Sequence, residues 1–210
     1  MIRLGLFDDH EIVRAGFRYI LGQSSDIQIA AEGQTGREAL AAVRTQDLHV
    51  CLVDLSMPDL SGIDVLKQAK AIRPETAVLI LSAYSEEQYG LNVLKAGASG
   101  FLSKDLASDQ LVNAVRTVAA GRRYVSPRLA EMLAAGLTDD IEQPPHQKLS
   151  EREFQIFSKL VVGRSVSDIA NDLCLSAKTV STYRSRLLEK MGFKSNAELA
   201  QYAVKNNLIS

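Results

Sequence analysis

Two stretches decide the fold, Ile2-Arg3-Leu4-Gly5-Leu6-Phe7-Asp8-Asp9 and Val50-Cys51-Leu52-Val53-Asp54. Each is a mainly aliphatic and β-branched run, the composition of a buried strand, that ends directly on carboxylates. Two further apolar runs end at Ser82 and Lys104. In an open parallel sheet the carboxyl ends of the strands share one edge, where ligands bind. We therefore expect three carboxylates, a hydroxyl and an ammonium group to meet there.

The first part of the chain alternates between apolar runs and segments of helical periodicity. The predicted strands are 2–7, 27–32, 50–54, 77–82 and 100–103. The predicted helices are 11–22, 36–45, 62–72, 86–96 and 108–120. This alternation indicates a parallel sheet with right-handed crossovers, and strands that are apolar throughout indicate burial on both faces. The sequence thus predicts an α/β fold with a doubly wound, five-stranded parallel sheet.

Charge is unevenly distributed along the 210 residues. The net charge of −1 divides into −2 for residues 1–125, −3 for residues 126–147 and +4 for residues 148–210. An acidic first part and a basic last part indicate two domains with different partners, the second partner being a polyanion. The predicted domains are 1–122 and 148–210, joined by a linker at 123–147 that contains a short helix and an acidic spacer.

Several classes of protein are disfavoured by composition. No apolar stretch approaches the roughly 20 residues that span a bilayer, and the N-terminus shows no signal-peptide pattern. We therefore expect a cytoplasmic protein without a membrane partner. Cys51, Cys174 and the three histidines show no zinc-ligand spacing, so two thiols in a reducing compartment are expected instead.

The acidic residues at the strand ends indicate a phosphoryl-transfer site. Asp8, Asp9 and Asp54 offer the hard oxygen ligands that Mg²⁺ prefers. Two carboxylates about 5 Å apart repel by roughly 3 kcal/mol at an effective dielectric of about 20, which favours a bound cation. Lys104 would neutralise a transferred phosphoryl group, and Ser82 would donate to one of its oxygens. Asp54 is best placed as the nucleophile.

Each of these residues also has an ordinary structural explanation. A single aspartate after a strand is commonly a helix cap, and Asp9 or His10 could cap the helix that begins near Glu11. Ser82 and Lys104, taken singly, are a common strand-end residue and a surface lysine. Their occurrence together at successive strand ends is what favours a functional site.

Residues 148–210 are predicted to be helical. Ser150 and Glu153 form the pattern of a capping box, and further helices are predicted at 167–173, 176–191 and 196–206. A helix, a short turn and a second helix form the helix-turn-helix pattern. The third helix combines small polar and basic residues, which suits a major groove, although a charge run alone favours a solvated face. The predicted DNA contacts are Lys178, Thr179, Ser181, Thr182, Arg184, Ser185 and Arg186.

The first domain resembles the receiver domain of two-component response regulators. The resemblance spans about residues 1–122 and is carried by Asp8-Asp9, by residues 54–62 (Asp-Leu-Ser-Met-Pro-Asp-Leu-Ser-Gly), by Ser82-Ala83 and by Lys104. It implies a flavodoxin-like sheet with a Mg²⁺ site and a phosphorylated aspartate.

The resemblance also implies individual roles. Asp54 would be the phosphoacceptor, and the two N-terminal aspartates, Asp54 and the backbone carbonyl of Ser56 would hold Mg²⁺. Ser82 would be the hydroxyl switch and Phe101 the aromatic switch, where Tyr is more usual. A plain core aromatic is the alternative for Phe101, and no switch role is expected for Tyr84.

The second domain resembles the LuxR-type helix-turn-helix of NarL/FixJ response regulators. Residues 149–153 (Leu-Ser-Glu-Arg-Glu), Ile169-Ala170 and residues 175–183 (Leu-Ser-Ala-Lys-Thr-Val-Ser-Thr-Tyr) carry the resemblance. The family's base-reading positions hold short side chains here, which leaves the target sequence undetermined and gives DNA shape a role. The implied dimer contacts are Glu198, Tyr202 and Lys205.

Together the resemblances imply a transcriptional response regulator. A histidine kinase would phosphorylate Asp54, and phosphorylation would promote homodimerisation and binding of double-stranded promoter half-sites, with RNA polymerase as a further partner. The chain would be no enzyme beyond its own phosphotransfer and slow autodephosphorylation. A Mg²⁺-dependent phosphohydrolase would need an acid where Ser56 stands, and a phosphorylation-independent DNA binder with a vestigial receiver would lack an acid or the lysine.

Overall fold

The structure, a computed structural model, describes residues 1–83, 86–104, 108–138, 144–173, 175–206 and 208. These residues form two units, Met1–Asp140 and Ile141–Ser210. Tyr84, Cys174 and the acidic pair Asp139-Asp140 of the predicted spacer lie outside the described residues. Among the helices of the described ranges, none has the length and apolar character required to cross a membrane.

The first unit is a five-stranded parallel sheet with the strand order β2-β1-β3-β4-β5. The strands are β1 (Ile2–Phe7), β2 (Ile27–Gly33), β3 (Val50–Asp54), β4 (Ala77–Ser82) and β5 (Gly100–Ser103). The helices are α1 (Glu11–Gly22), α2 (Gly36–Thr45), α3 (Gly62–Ile72), α4 (Glu86–Lys95), α5 (Ser108–Ala119) and α6 (Pro127–Thr138). The predicted doubly wound, flavodoxin-like fold is confirmed.

The strand register brings the predicted site residues to one edge. Phe7 of β1 pairs with Val53 of β3, and Ser82 of β4 pairs with Ser103 of β5. The polar residues that follow these strands therefore emerge side by side. β3 and β4 are buried along their whole length, as expected for central strands covered by helices on both faces.

Helix α6, which the sequence assigns to the linker, packs on α4 within the first unit. Leu129 is fully buried, and a Cβ at Gly90 of α4 would lie 2.8 Å from Leu129 Cδ1. Glycine costs an exposed helix about 1 kcal/mol relative to alanine, but here it gives Leu129 room. Ser126 Oγ donates a hydrogen bond to the Glu86 carboxylate and accepts the backbone N–H of Leu129. These contacts explain why this segment belongs to the first unit.

The second unit contains a 3-10 turn (Pro145–Lys148) and helices α7 (Glu151–Val161), α8 (Val166–Asp172), α9 (Ala177–Met191) and α10 (Asn196–Lys205). The four predicted helices are confirmed. Each α-helix begins after a serine whose side chain accepts a backbone N–H of the first turn, which satisfies a donor that the helix leaves unpaired. These capping residues are Ser150, Ser165, Ser176 and Ser195.

Helices α7 and α9 are joined by a buried carboxylate. The Glu153 carboxylate, only 4% exposed, accepts hydrogen bonds from Lys190 Nζ at 2.7 Å and from the backbone N–H of Ser150 at 2.8 Å. Burial works to raise the pKa of Glu153, but the bonds from Lys190 and Ser150 outweigh it and hold that pKa below its ordinary value of 4.5. The interaction therefore stabilises the fold when Glu153 is ionised.

Glu153→Gln is expected to lower the stability of α7 and α9 by about 1–3 kcal/mol at pH 7, because it weakens charge-assisted bonds. A depressed folded-state pKa gives stabilisation that is complete above the unfolded pKa and lost as pH falls through the folded pKa. The difference in stability between wild type and Glu153→Gln should therefore shrink below about pH 4.5. Hydrogen exchange of the α7 amides measures the opening free energy, with the exposed Glu189→Gln as control. A difference independent of pH would contradict this account.

Candidate functional site

Two carboxyl side chains and one lysine side chain meet at the carboxyl edge of the sheet. Lys104 Nζ lies 2.7 Å from Asp8 Oδ2 and 3.1 Å from Asp54 Oδ2, and both aspartates are buried. The backbone N–H of Lys104 donates to Ser82 O at 2.8 Å, which continues the β4–β5 pairing by one residue. That bond fixes where the lysine side chain starts and lets it reach both carboxylates.

The environment of Asp54 favours its neutral form more than water does. Burial raises the pKa of the Asp54 carboxyl to about 6, with Lys104 opposing this shift and the nearby Asp8 carboxylate adding to it. The backbone N–H of Ser56 also donates to the Asp54 carboxylate and favours its charged form. Asp54 Oδ2 faces Lys104 Nζ at 3.1 Å.

The loop between β3 and α3 is pinned at both ends. Gly62 N–H donates to Leu55 O at 2.8 Å, and Ser56 pairs with Ser61 in an isolated bridge. Asp59 accepts the backbone N–H groups of Gly36 and Arg37 at 2.8 and 3.0 Å, which ties the loop to the start of α2. Burial opposes ionisation of Asp59, but these N–H groups outweigh it and lower its pKa.

The turn between β1 and α1 is held by residues that the sequence did not assign to the site. Arg14 is buried on α1 and donates from Nη1 to Asp8 O at 2.6 Å. The backbone N–H of His10 donates to Asp8 Oδ1 at 2.8 Å. The sequence pattern could have indicated a role for Arg14, because Arg14 shares one face of α1 with the buried Phe17 and Leu21. A cation on an apolar helix face needs a hydrogen-bond acceptor.

The two predicted switch residues are both buried. Ser82 is the last residue of β4 and Phe101 the second residue of β5, where it pairs with Ile80. Phe101 is fully buried, so any rearrangement of its ring must repack the first unit's interior. Tyr84, the second aromatic noted in the sequence, lies outside the described residues.

The donor atoms of the pocket fit a small divalent cation. Asp8 Oδ2, Asp9 Oδ1 and Asp54 Oδ2 are buried acceptors without a well-aligned hydrogen bond. Three carboxylates and the Lys104 ammonium leave two negative charges, which one divalent ion would balance. Ligating atoms of Asp8, Asp9, His10 and Asp54 lie within 4.8 Å of one another. In an octahedron with 2.1 Å bonds, neighbouring ligands are about 3 Å apart and opposite ligands about 4.2 Å.

The second unit presents the predicted DNA-binding residues on α9. Val180, Leu187 and Met191 are buried and face the unit's core. The residues on the opposite face are exposed, and these are Lys178, Ser181, Thr182, Ser185 and Arg186. Thr179 and Arg184 are half-buried. The structure thus places five of the seven predicted residues in solvent.

Several polar groups of α9 are already engaged. The hydroxyls of Thr182 and Ser185 donate to the carbonyls of Lys178 and Ser181 at 2.9 and 3.1 Å, so they meet an incoming base as acceptors. Arg184 Nε donates to Asn196 Oδ1 at 2.7 Å, which leaves its terminal amino groups for other partners. The helix therefore offers fewer unengaged donors than its sequence suggests.

The three predicted dimer residues of α10 differ in their surroundings. Glu198 accepts the backbone N–H of Lys194 at 2.9 Å, and Tyr202 OH lies 2.7 Å from His146 Nδ1. Both side chains thus serve contacts within the unit, whereas Lys205 is exposed. Val204, which is 62% exposed, is an apolar surface residue that sequence reasoning did not assign.

Comparison with known families assigns both units. The family described as "Response regulator receiver domain" matches residues 5–116, and "Bacterial regulatory proteins, luxR family" matches residues 147–203. The chain belongs to the NarL/FixJ family of two-component response regulators. It is therefore a response regulator with a receiver domain and a LuxR-type DNA-binding domain, and not a conventional enzyme.

Similar proteins cover the chain almost completely. The transcriptional regulatory protein UhpA of Salmonella typhimurium is 44% identical over 200 residues, which are 95% of this chain and 96% of UhpA. The response regulator GacA of Pseudomonas protegens is 34% identical over 209 residues, or 100% and 98% of the two chains. A structure of RcsB from Salmonella enterica serovar Typhimurium, bound to promoter rprA with the phosphomimetic BeF₃⁻, has a TM-score of 0.68 and 26% identity, covering 96% of this chain and 98% of RcsB.

Gly62→Ala is expected to destabilise the receiver domain by about 1–3 kcal/mol, the usual cost of an atom forced into packed surroundings. A Cβ at this position would lie 2.5 Å from Asp54 O and 2.8 Å from Leu55 Cα, which are backbone atoms that must shift. Urea unfolding measures the loss, and the amide chemical shift of Leu55 reports the displacement. Gly16→Ala is the matched control, since its Cβ would meet open space in a helix. Equal stability of the two variants would contradict the close approach.

Proposed function

We propose that this response regulator is phosphorylated on Asp54 by a histidine kinase and that phosphorylation controls dimerisation and promoter binding. One observation carries the proposal. Lys104 lies between Asp8 and Asp54 at the edge of the sheet, within reach of any group added to Asp54 Oδ2. Acting as the nucleophile, Asp54 would have beside it the cation that its phosphorylated form requires.

The transfer step follows from this geometry. Asp54 Oδ2 attacks the phosphorus of a phosphohistidine, the new O–P bond forms as the N–P bond breaks, and the imidazole leaves with the bonding pair and takes up a proton. The hydrogen bond from the backbone N–H of Ser56 orients the Asp54 carboxylate. Asp54 Oδ2 is paired with Lys104 Nζ at 3.1 Å, so the ammonium already lies beside the oxygen that would take the phosphoryl group.

Asp8, Asp9, Asp54 and the backbone carbonyl of Ser56 are the proposed Mg²⁺ ligands. When bound, Mg²⁺ would neutralise the phosphoryl oxygens. The buried carboxylate oxygens and the two surplus negative charges of the pocket support this assignment. The chain's own contribution is to hold these oxygens in place through Arg14 and the pinned β3–α3 loop.

Phosphorylation would act by changing contacts of Lys104 and Ser82. Modified Asp54 no longer offers a carboxylate to Lys104, whose ammonium then binds a phosphoryl oxygen, while the Ser82 hydroxyl donates to another. A ligand or modification shifts an equilibrium only through contacts that differ between the two states. The proposed aromatic switch, Phe101, lies on β5 opposite Ile80 of β4, two residues before Ser82, so a shift at Ser82 would reach its buried ring through β4.

The proposed partner of the second unit is double-stranded promoter DNA. The basic surface of α9 supports this, with the exposed Lys178 and Arg186 and the half-buried Arg184 proposed to contact phosphates. Thr179, Ser181, Thr182 and Ser185 are proposed to lie near the bases. The RcsB structures bound to promoters rprA and P1flhDC are examples in similar proteins.

Two such units would bind two half-sites as a homodimer. The exposed surface of α10 around Lys205, beside Glu198 and Tyr202, is the proposed dimer contact. Bound at a promoter, the dimer would have RNA polymerase as a neighbour. We further propose that the protein acts in the cytoplasm, where kinase and chromosome meet.

Phosphorylation-dependent DNA binding is tested with Asp54→Asn. A small phosphodonor with Mg²⁺ should tighten binding of wild type to a promoter fragment selected by the protein itself, and should leave Asp54→Asn unchanged, because the amide accepts no phosphoryl group. Fluorescence anisotropy at fixed salt measures the affinity. Asp64→Asn, at an exposed position of α3, should respond like wild type. Donor-independent affinity in wild type would instead favour a vestigial receiver.

Arg186→Ala is expected to weaken DNA binding about equally for all sequences. Each phosphate contact contributes about 0.9 to the slope of log affinity against log salt concentration, through counterion release. Anisotropy titrations at salt concentrations from about 50 to about 200 mM give this slope. Its magnitude should be lower by about one in Arg186→Ala than in wild type. Lys148→Ala, which also removes an exposed cation, serves as control. An equal drop in both variants would show only a general charge effect.

A further inference from the structure

The guanidinium group of Arg184 on α9 is held by a residue of the next helix. Arg184 Nε donates a hydrogen bond at 2.7 Å to Oδ1 of Asn196, the first residue of α10. Both residues are half-buried, whereas Lys178 and Arg186, the other proposed phosphate contacts, are exposed. The hydrogen bond and the partial burial therefore restrict the rotamers of Arg184 more than those of the other two cations.

The turn between α9 and α10 fixes the position of Asn196. Helix α9 ends at Gly192, whose φ of 71° is the left-handed conformation that favours glycine. The backbone N–H of Phe193 donates to Leu188 O at 2.9 Å, and the side chain of Ser195 caps α10. These contacts reverse the chain, so that the start of α10 lies beside the middle of α9.

The acceptor is an amide, which holds the guanidinium group without cancelling its charge. In the first unit, by contrast, Arg18 and Arg116 each bind a carboxylate through both Nε and Nη2. A carboxylate partner of this kind leaves an arginine little attraction for an external anion. Among the described residues, no ion pair joins Arg184 to a carboxylate. Arg184 therefore keeps its positive charge while its Nε is held.

We propose that Asn196 is a positioning residue for DNA binding, which holds Arg184 so that its two terminal amino groups face a phosphate of the promoter backbone. The inference rests on the proposed binding of promoter DNA. A guanidinium group binds a phosphate through two N–H groups of its planar fork. With Nε engaged by Asn196, the edge formed by Nη1 and Nη2 remains for this contact.

The advantage of the hydrogen bond is that Arg184 is ordered before DNA arrives. An arginine that becomes fixed only on binding loses rotamer entropy at that moment, which lowers affinity by about two- to twelve-fold for one long side chain. The bond from Asn196 removes part of this cost. A phosphate contact with a preorganised cation also helps to set the register of α9 on the duplex.

Fluorescence anisotropy of the full-length protein tests the proposal on the promoter fragment selected by the protein itself, with a small phosphodonor and Mg²⁺. Asn196→Ala should weaken binding by about two- to twelve-fold and keep the salt slope of wild type, because the arginine charge remains. Asn196→Asp should lower the magnitude of the slope by about one, as Arg184→Ala should, because the new carboxylate neutralises the guanidinium group. Asn113→Ala, at an exposed position of α5, should leave affinity and slope unchanged.

A double-mutant cycle separates positioning from a direct contact of Asn196 with DNA. In the Arg184→Ala background there is no guanidinium group to hold, so the further change Asn196→Ala should alter affinity by less than about two-fold. Additive losses would mean that Asn196 acts independently of Arg184, and they would overturn the proposal.

Nitrogen-15 NMR of the arginine side chains gives a second readout in the absence of DNA. The Nε proton of Arg184, assigned by its loss in Arg184→Ala, should exchange slowly with water in wild type and Asn196→Asp, and rapidly in Asn196→Ala. Equal exchange in wild type and Asn196→Ala would show that the amide does not hold the guanidinium group. Loss of backbone amide protection along α9 in Asn196→Ala would indicate a structural role instead. Either result would make the proposal wrong.

The outcomes distinguish this inference from the function on which it rests. If Arg186→Ala lowers the magnitude of the salt slope but Arg184→Ala and Asn196→Asp do not, DNA binding stands and the positioning role of Asn196 is wrong. If wild type shows no salt-dependent binding to the fragment, with or without the phosphodonor, promoter binding itself is wrong and the inference fails with it.

Discussion

The receiver depends on the contact of one ammonium group with two buried carboxylates. Isolated charges are costly in a protein interior, and removing one partner of a buried pair usually costs about 3–5 kcal/mol. Lys104 offsets part of the repulsion between Asp8 and Asp54, but the pocket with Asp9 keeps two surplus negative charges. These two surplus negative charges make the pocket suitable for a cation. They also mean that the electrostatics of the pocket change when Asp54 is modified. The sheet order matters because it brings β1, β3 and β5 residues to this contact.

Rigid backbone contacts hold these charges at fixed separations. Arg14 bonds to the Asp8 carbonyl, Asp59 holds the loop after β3 to the start of α2, and the missing side chain of Gly62 lets α3 begin against Asp54. None of these residues carries the proposed chemistry. They supply the surrounding shell that a preorganised site requires, since an error of about 1 Å in a reacting group costs much of its effect.

Secondary-structure elements could be predicted from the sequence more completely than side-chain contacts could. Strands and helices followed from apolar periodicity, because burial on both faces of a parallel sheet leaves a direct signature. The residues at the carboxyl edge of the sheet could be predicted because each lies at or directly after the end of a predicted strand. The ring direction of His10, the pairing of Lys190 with Glu153 and the engagement of Tyr202 with His146 depend on rotamers and on packing between distant segments, which periodicity does not encode. The same limit explains α6, whose sequence predicts a helix but not the surface that buries Leu129.

The packing of α6 has a mechanical consequence for the receiver. Ser82 ends β4, and Glu86, the first residue of α4, accepts the hydrogen bond from Ser126 that precedes α6. Leu129 fills the space above Gly90 one turn further along α4. Close-packed interiors shift between discrete arrangements rather than deform continuously. A displacement of α4 that follows a change at Ser82 must therefore either carry α6 with it or break both contacts.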